Sequence, residues 1–151
     1  MKIVDLNVLL YAVNSDAAHH EIVRTYWEKV ASADEEIGFA WNVLLGFLRL
    51  STNAAVFPRP LDPETAFGKI DDWLSLPSAR VVTESEEHWA ILRGLLADAG
   101  TAGNLTTDAH LAALAISRGA VLVSCDNDFA RFADLRLENP LAPARGRQGR
   151  R

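Results

Sequence analysis

Four aspartates carry the chemistry this sequence offers. Asp5 closes the apolar run Lys2-Ile3-Val4, and Asp108 falls early in a helical segment. Asp126 follows the β-branched run 120–124, with Asp128 two residues further on. Taken singly, each has an ordinary use: Asp5 as a helix cap, Asp108 as a complement to a helix dipole, Asp126 and Asp128 as turn formers. Taken together they suggest more. Carboxylates gathered in one cleft raise one another's proton affinity and oppose folding unless something offsets their charge. A hard divalent cation does so, and a set of oxygen donors favours Mg2+, with Mn2+ as a substitute, over zinc or copper. Such an ion polarises a phosphoryl oxygen and generates hydroxide from bound water, so phosphodiester hydrolysis is the reaction that fits.

The elements that must position these acids alternate between short apolar runs and helical periodicity, which predicts βαβ units and a mostly parallel sheet in one α/β domain. Residues 2–5 read as a first strand, 6–13 as two helical turns and 20–31 as a helix with Ile22, Val23, Tyr26, Trp27 and Val30 on one face. A second strand at 37–40 runs into an apolar helix at 41–50. Asp62-Pro63-Glu64 has the cap, the proline and the acid of a helix start. A third strand is expected at 79–82, and Ser85-Glu86-Glu87 should open a helix through residue 97, stopped by Gly100. Residues 103–108 lead into a helix from about 108 to 118. A strand at 120–124 and a last one near 135–138 complete the pattern. Parallel sheets of this kind take ligands beyond the C-terminal ends of their strands, which is where Asp5 and Asp126 fall.

Size and composition set limits on the rest. With 151 residues, 49% hydrophobic and 23% charged, the chain suits a single globular domain of residues 1–141 followed by an Arg-rich, disordered tail at 142–151. One cysteine, Cys125, excludes an internal disulfide framework and a Cys-rich zinc site. No apolar run nears the roughly 20 residues that span a bilayer, and the N-terminus meets a carboxylate too early for a signal peptide. A cytoplasmic protein without membrane contact is expected. The net charge of −5 conceals an asymmetry: without Arg145, Arg147, Arg150 and Arg151, 11 basic residues face 20 acidic ones, a body charge of −9. Such a body repels nucleic acid in bulk, so any nucleic-acid substrate needs local cations. Arg49, Arg93 and Arg131 are candidates to hold phosphates, whereas Arg118 could equally bind the last carbonyls of its own helix. His19 and His20 are expected as solvated capping residues, His88 at the surface and His110 in a structural role. The four tryptophans, Trp27, Trp41, Trp73 and Trp89, belong to core or dimer packing.

Three segments together resemble a known family. Lys2-Ile3-Val4-Asp5-Leu6-Asn7-Val8-Leu9-Leu10-Tyr11-Ala12 looks like the opening of PIN-domain proteins. Gly103-Asn104-Leu105-Thr106-Thr107-Asp108-Ala109-His110-Leu111 looks like the segment bearing their central aspartate, and Val123-Ser124-Cys125-Asp126-Asn127-Asp128-Phe129 is similar to their closing acidic motif. The likeness spans roughly residues 1–141 and is close to the VapC-type toxins of bacterial toxin–antitoxin pairs. It implies a three-layer α/β/α sandwich, a Mg2+- or Mn2+-dependent endoribonuclease acting on a structured tRNA or rRNA, a homodimer and a VapB-type antitoxin. It carries over Asp5, Asp108 and Asp126 as catalytic metal ligands and Asp128 as a further or water-mediated one. Asn7 and Thr106 become polar neighbours of the site.

One position departs from the family pattern. Where the family has a glutamate in the helix after the second strand, this chain has Gly46, within Trp41-Asn42-Val43-Leu44-Leu45-Gly46-Phe47. Asn42, four residues earlier on the same helical face, could supply an amide oxygen there. The missing acid leaves a non-catalytic PIN-like module, binding RNA or protein, as the alternative to an enzyme. A phosphotransfer domain fits less well. Haloacid-dehalogenase-like phosphatases need a second Asp where Asn7 stands, and receivers need a late-strand lysine, whereas the only lysines are Lys2, Lys29 and Lys69.

Overall fold

The computed structural model describes residues 1–143, so residues 144–151, most of the expected tail, lie outside the described residues. The described residues form five strands and six α-helices: β1 (Lys2–Val4), α1 (Leu6–Val13), α2 (His20–Ala31), β2 (Ile37–Ala40), α3 (Trp41–Ser51), α4 (Pro63–Leu74), β3 (Ala79–Val82), α5 (His88–Ala99), α6 (Leu105–Ser117), β4 (Val121–Val123) and β5 (Arg136–Glu138). A short 3-10 helix, Asn127–Arg131, links β4 to β5. The sheet order is β3-β2-β1-β4-β5, and every pairing is parallel.

Strands covered on both faces read as continuous apolar runs rather than alternating ones, and the inner strands obey this. Ile3, Ile37, Phe39, Leu122 and Val123 are all fully buried. The edge strands carry exposed arginines instead, Arg80 on β3 and Arg136 on β5, which discourage pairing with another chain. Right-handed crossovers put α1 to α4 on one face and α5 and α6 on the other, giving three layers. The first face is filled by Trp27, Phe39, Phe47 and Trp73, with Trp73 edge-on to Phe47 at 4.7 Å between ring centroids. Alanines 109, 112, 113 and 115 with Leu111 and Leu114 bury α6 on the second.

The chain leaves β1 toward β2 and β3 on one side but reaches β4 and β5 on the other. This reversal opens a crevice beyond the C-terminal ends of β1 and β4, and the acids sit beside it.

Several expectations are corrected in detail. Helix α6 starts at Leu105 rather than Asp108, because the Leu105 and Thr106 amides donate to Ala102 and Gly103 carbonyls and wind the loop straight into the helix. Helix α5 starts at His88: residues 85–87 form a turn closed by the His88 amide on the Ser85 carbonyl. It ends, as expected, on Gly100, whose φ of 70° suits a residue without a side chain. Ile22 is exposed, because α2 rotates Val23, Trp27 and Val30 inward. Trp27 and Trp73 are core residues, whereas Trp41 and Trp89 are exposed.

Candidate active site

Asp5 is the anchor. It leaves β1 with extended backbone and caps α1, its Oδ1 accepting from the Leu6 amide at 2.7 Å. Its Oδ2 accepts from the Ser124 hydroxyl at 2.7 Å and from the Asn7 amide at 3.1 Å. The parallel register makes this meeting unavoidable: Val4 pairs with Val123, so the next residues of β1 and β4 are Asp5 and Ser124. Ser124 is fully buried, and its hydroxyl also accepts from the Asn7 side chain (3.1 Å) and the Asp126 amide (3.0 Å). One donor and two acceptor positions are thus all used. Asn7 in turn takes the Cys125 amide at 3.0 Å. Buried hydrogen bonds therefore tie the first acid to the loop bearing the third.

Asp126 caps the 3-10 helix, accepting from the Asp128 amide at 2.8 Å, and is half-buried; Asp128 is exposed. Asp108 is half-buried in the first turn of α6. The ordinary roles of Asp5 and Asp126 as caps are real, but they leave carboxylate oxygen over.

Electrostatics place these groups in one neighbourhood. Burial, above all, pushes the Asp5 carboxyl above the ordinary range; hydrogen bonds from Ser124 and Leu6 oppose this, and the charges of Asp108 and Asp126 add to it. Asp108 is raised first by burial, then by Asp126 and Asp128, with Arg131 pulling the other way. Asp5 and Asp108 also line one groove of about 330 Å3, together with Asn42, Gly46, Arg49 and Thr107. Arg49 enters it from α3, while Arg131 reaches the acids from the 3-10 helix. Among the described residues neither arginine has a carboxylate within 4.0 Å, unlike Arg24, Arg59 and Arg80.

The donor chemistry fits a hard cation: carboxylate, amide and hydroxyl oxygens, with mutual repulsion to be relieved. Among the described residues, however, no three histidine, cysteine, aspartate or glutamate side chains stand close enough to hold an ion without rearrangement. Asp5 is pinned by three hydrogen bonds, so a shared ion would require Asp108 and Asp126, both half-buried, to turn toward it.

Sequence reasoning missed Ser124 and Thr107. Ser124 had a signal, a polar residue ending an otherwise apolar strand beside an acid. Thr107, not Thr106, lines the groove. Helix α3 contributes no acid, only Asn42 and Gly46. Arg93 is exposed on α5. Arg118 reaches the Thr83 carbonyl at 2.8 Å rather than its own helix. His88 is not a surface residue: its Nε2 meets His110 Nδ1 at 2.9 Å, clamping α5 to α6, and Glu84 stands 3.6 Å from His110 Nε2. Burial, then His88, hold the His110 imidazole below its ordinary range. His20 is not solvated either; its Nδ1 donates to the Tyr11 carbonyl at 2.8 Å.

With this geometry established, comparison with known proteins is decisive. The PIN domain family model matches residues 2–135. This chain belongs to the PIN-domain family. As a PIN domain it is 47% identical over 142 residues to Ribonuclease VapC37 of Mycobacterium tuberculosis, covering 94% of this chain and 99% of the relative. It is 41% identical to Ribonuclease VapC33 of the same species, covering 93% and 99%. Among solved structures it resembles VapBC2 from Rickettsia felis bound to a promoter DNA fragment, with a TM-score of 0.66 at 24% identity over 91% of this chain and 97% of that one. The sarcin-ricin-loop-cleaving toxin VapC20 of M. tuberculosis matches with a TM-score of 0.64 at 18% identity, covering 90% and 99%. The VapC-type resemblance and the three-layer PIN fold expected from the sequence both hold.

The raised carboxyls make a prediction about stability. The folded protein holds the Asp108 proton more tightly than the unfolded chain does, so stability is lost as pH rises through the carboxylate range and the full penalty is present at neutral pH. Asp108→Asn therefore raises the melting temperature of cation-free protein at pH 7, measured by calorimetry, and the gain disappears at pH 3. An unchanged or lowered melting temperature at pH 7 would show that Asp108 is not under this strain.

Proposed function

We propose that this PIN domain is a Mg2+-dependent endoribonuclease, the toxin of a VapBC-type pair, hydrolysing phosphodiester bonds in a structured tRNA or rRNA. The observation that carries the reading is the convergence of acids from distant parts of the chain: Asp5 and Asp108 line one groove, and the charge of Asp126 bears on both. Its reaction class follows from relatives named as ribonucleases at 47% and 41% identity over nearly the whole chain.

Asp5, Asp108 and Asp126 would hold the divalent ion, Asp128 assisting directly or through water; when bound, the ion supplies Lewis acidity at the phosphoryl oxygens. The chain's own residues do the rest. Asn7 and Ser124 fix the rotamer of Asp5, so one carboxylate stays in place while its neighbours adjust. Asp108, whose proton affinity is raised by burial and by the charges of Asp126 and Asp128, is suited to take the proton of an attacking water. Arg49 and Arg131, neither with a carboxylate within 4.0 Å among the described residues, would grip phosphates near the acids and offset a body charge that otherwise repels RNA. Asn42 offers an amide to the ribose or a phosphate.

The test is cleavage of tRNA and rRNA with and without Mg2+ or Mn2+. Asp5→Asn and Asp108→Ala should keep the folded circular dichroism spectrum yet lose activity by about 100-fold or more. The same changes should abolish growth inhibition on expression. Full activity in Asp5→Asn, or undiminished cleavage in chelator, would defeat the proposal. A non-catalytic RNA- or protein-binding module is the second reading, favoured by the absence of an acid on α3. Wild-type protein that binds these RNAs without cutting them at any Mg2+ or Mn2+ concentration would establish it.

The same reading makes the protein a cytoplasmic homodimer restrained by a VapB-type antitoxin. No helix of the described residues is long and apolar enough to cross a membrane. Co-expression with the product of the adjacent small reading frame should yield a complex that is inactive on RNA, and light scattering should give twice the chain mass for the free toxin. A monomer that remains active beside that product would contradict both expectations.

A further inference from the structure

Gly46 lines the groove beside Asp5, and the space its side chain would occupy is already taken. A Cβ built there lies 2.8 Å from Leu6 Cδ2, 3.6 Å from Cδ1 and 3.8 Å from Cγ. The whole end of the Leu6 side chain is parked against the bare backbone of α3. Leu6 is also the residue whose amide holds the Asp5 carboxylate at 2.7 Å, so it sits at the centre of the acidic site.

Resting on the nuclease reading for its functional consequence, we propose that Gly46 is a positioning residue: lacking a side chain, it houses Leu6 and holds that side chain in the wall of the groove, clear of the space above Asp5. A methyl group at position 46 must displace something. Helix α3 cannot readily retreat, because Val43, Leu44 and Phe47 anchor it with at most 2% of their surface exposed. On its other side Leu6 packs against the buried core, and tightly packed interiors accept extra atoms poorly. The half-buried Leu6 tip is the part that can move, and the open volume beside it is the groove. Displaced there, it lies between the substrate phosphate and the acids.

The experiment uses three variants, Gly46→Ala, Leu6→Ala and the double substitution. In methyl-labelled wild-type protein, the Leu6 methyls should show NOEs to the Gly46 α-protons. In Gly46→Ala those methyls should gain NOEs to Thr107 and Leu111 across the groove. Cleavage by Gly46→Ala should fall about tenfold or more, mainly through KM, as small displacements near reacting groups do. The double variant should recover to within about threefold of Leu6→Ala, because two residues in contact are coupled. Leu6 methyl resonances unmoved in Gly46→Ala, displaced α3 backbone resonances at residues 43–47 instead, or a double variant as impaired as Gly46→Ala would overturn the proposal. Should the wild-type protein cut no RNA while the Leu6 methyls still move into the groove, the steric claim stands and the nuclease reading fails.

Discussion

A buried serine bridging two strands governs this molecule. Ser124 follows β4 with no exposed surface, yet its hydroxyl must find partners, because an unpaired buried hydroxyl costs about 1–3 kcal/mol. It finds Asp5, Asn7 and the Asp126 amide. The strand register that packs Val4 beside Val123 therefore also fixes an acid at the C-terminal end of β1 and sets the loop that carries a second. Core packing and site geometry are one constraint, and neither can shift without the other.

Around that anchor the protein accumulates like charge rather than avoiding it. Asp5 and Asp108 both hold protons more tightly than free carboxyls do, and each feels other acids of the group. Natural folds keep such strain where function uses it, and the perturbed groups here lie beyond the strand ends of a parallel sheet. Positive charge is distributed to match. Arg24, Arg59 and Arg80 neutralise carboxylates away from the site, while Arg49 and Arg131 remain available beside it.

Much of this was legible in the sequence. Apolar runs ending in acids located β1 and β4, and Asp62-Pro63 marked the start of α4, because those signals are local. The sandwich and the family were legible from three motifs in order. What escaped depended on contacts between distant elements. Ser124 looked like a strand residue until β4 lay against β1. His88 looked exposed until α5 met α6, and His20 until α2 met the α1 carbonyls. Thr106 was carried over from the family motif, whereas its neighbour Thr107 is the one that faces the groove. Gly46 could be noticed in the sequence as a missing acid, but not as the berth of Leu6, which only the crossing of α1 and α3 creates.

The decisive measurement is a crystal of the full chain soaked in Mn2+, examined for anomalous scattering. The account predicts a peak at the crevice beyond β1 and β4, coordinated by Asp5 together with Asp108 or Asp126 turned inward, at about the 2.1 Å expected of small hard cations. A saturating soak that leaves no density between these carboxylates, with the side chains still apart, would contradict it.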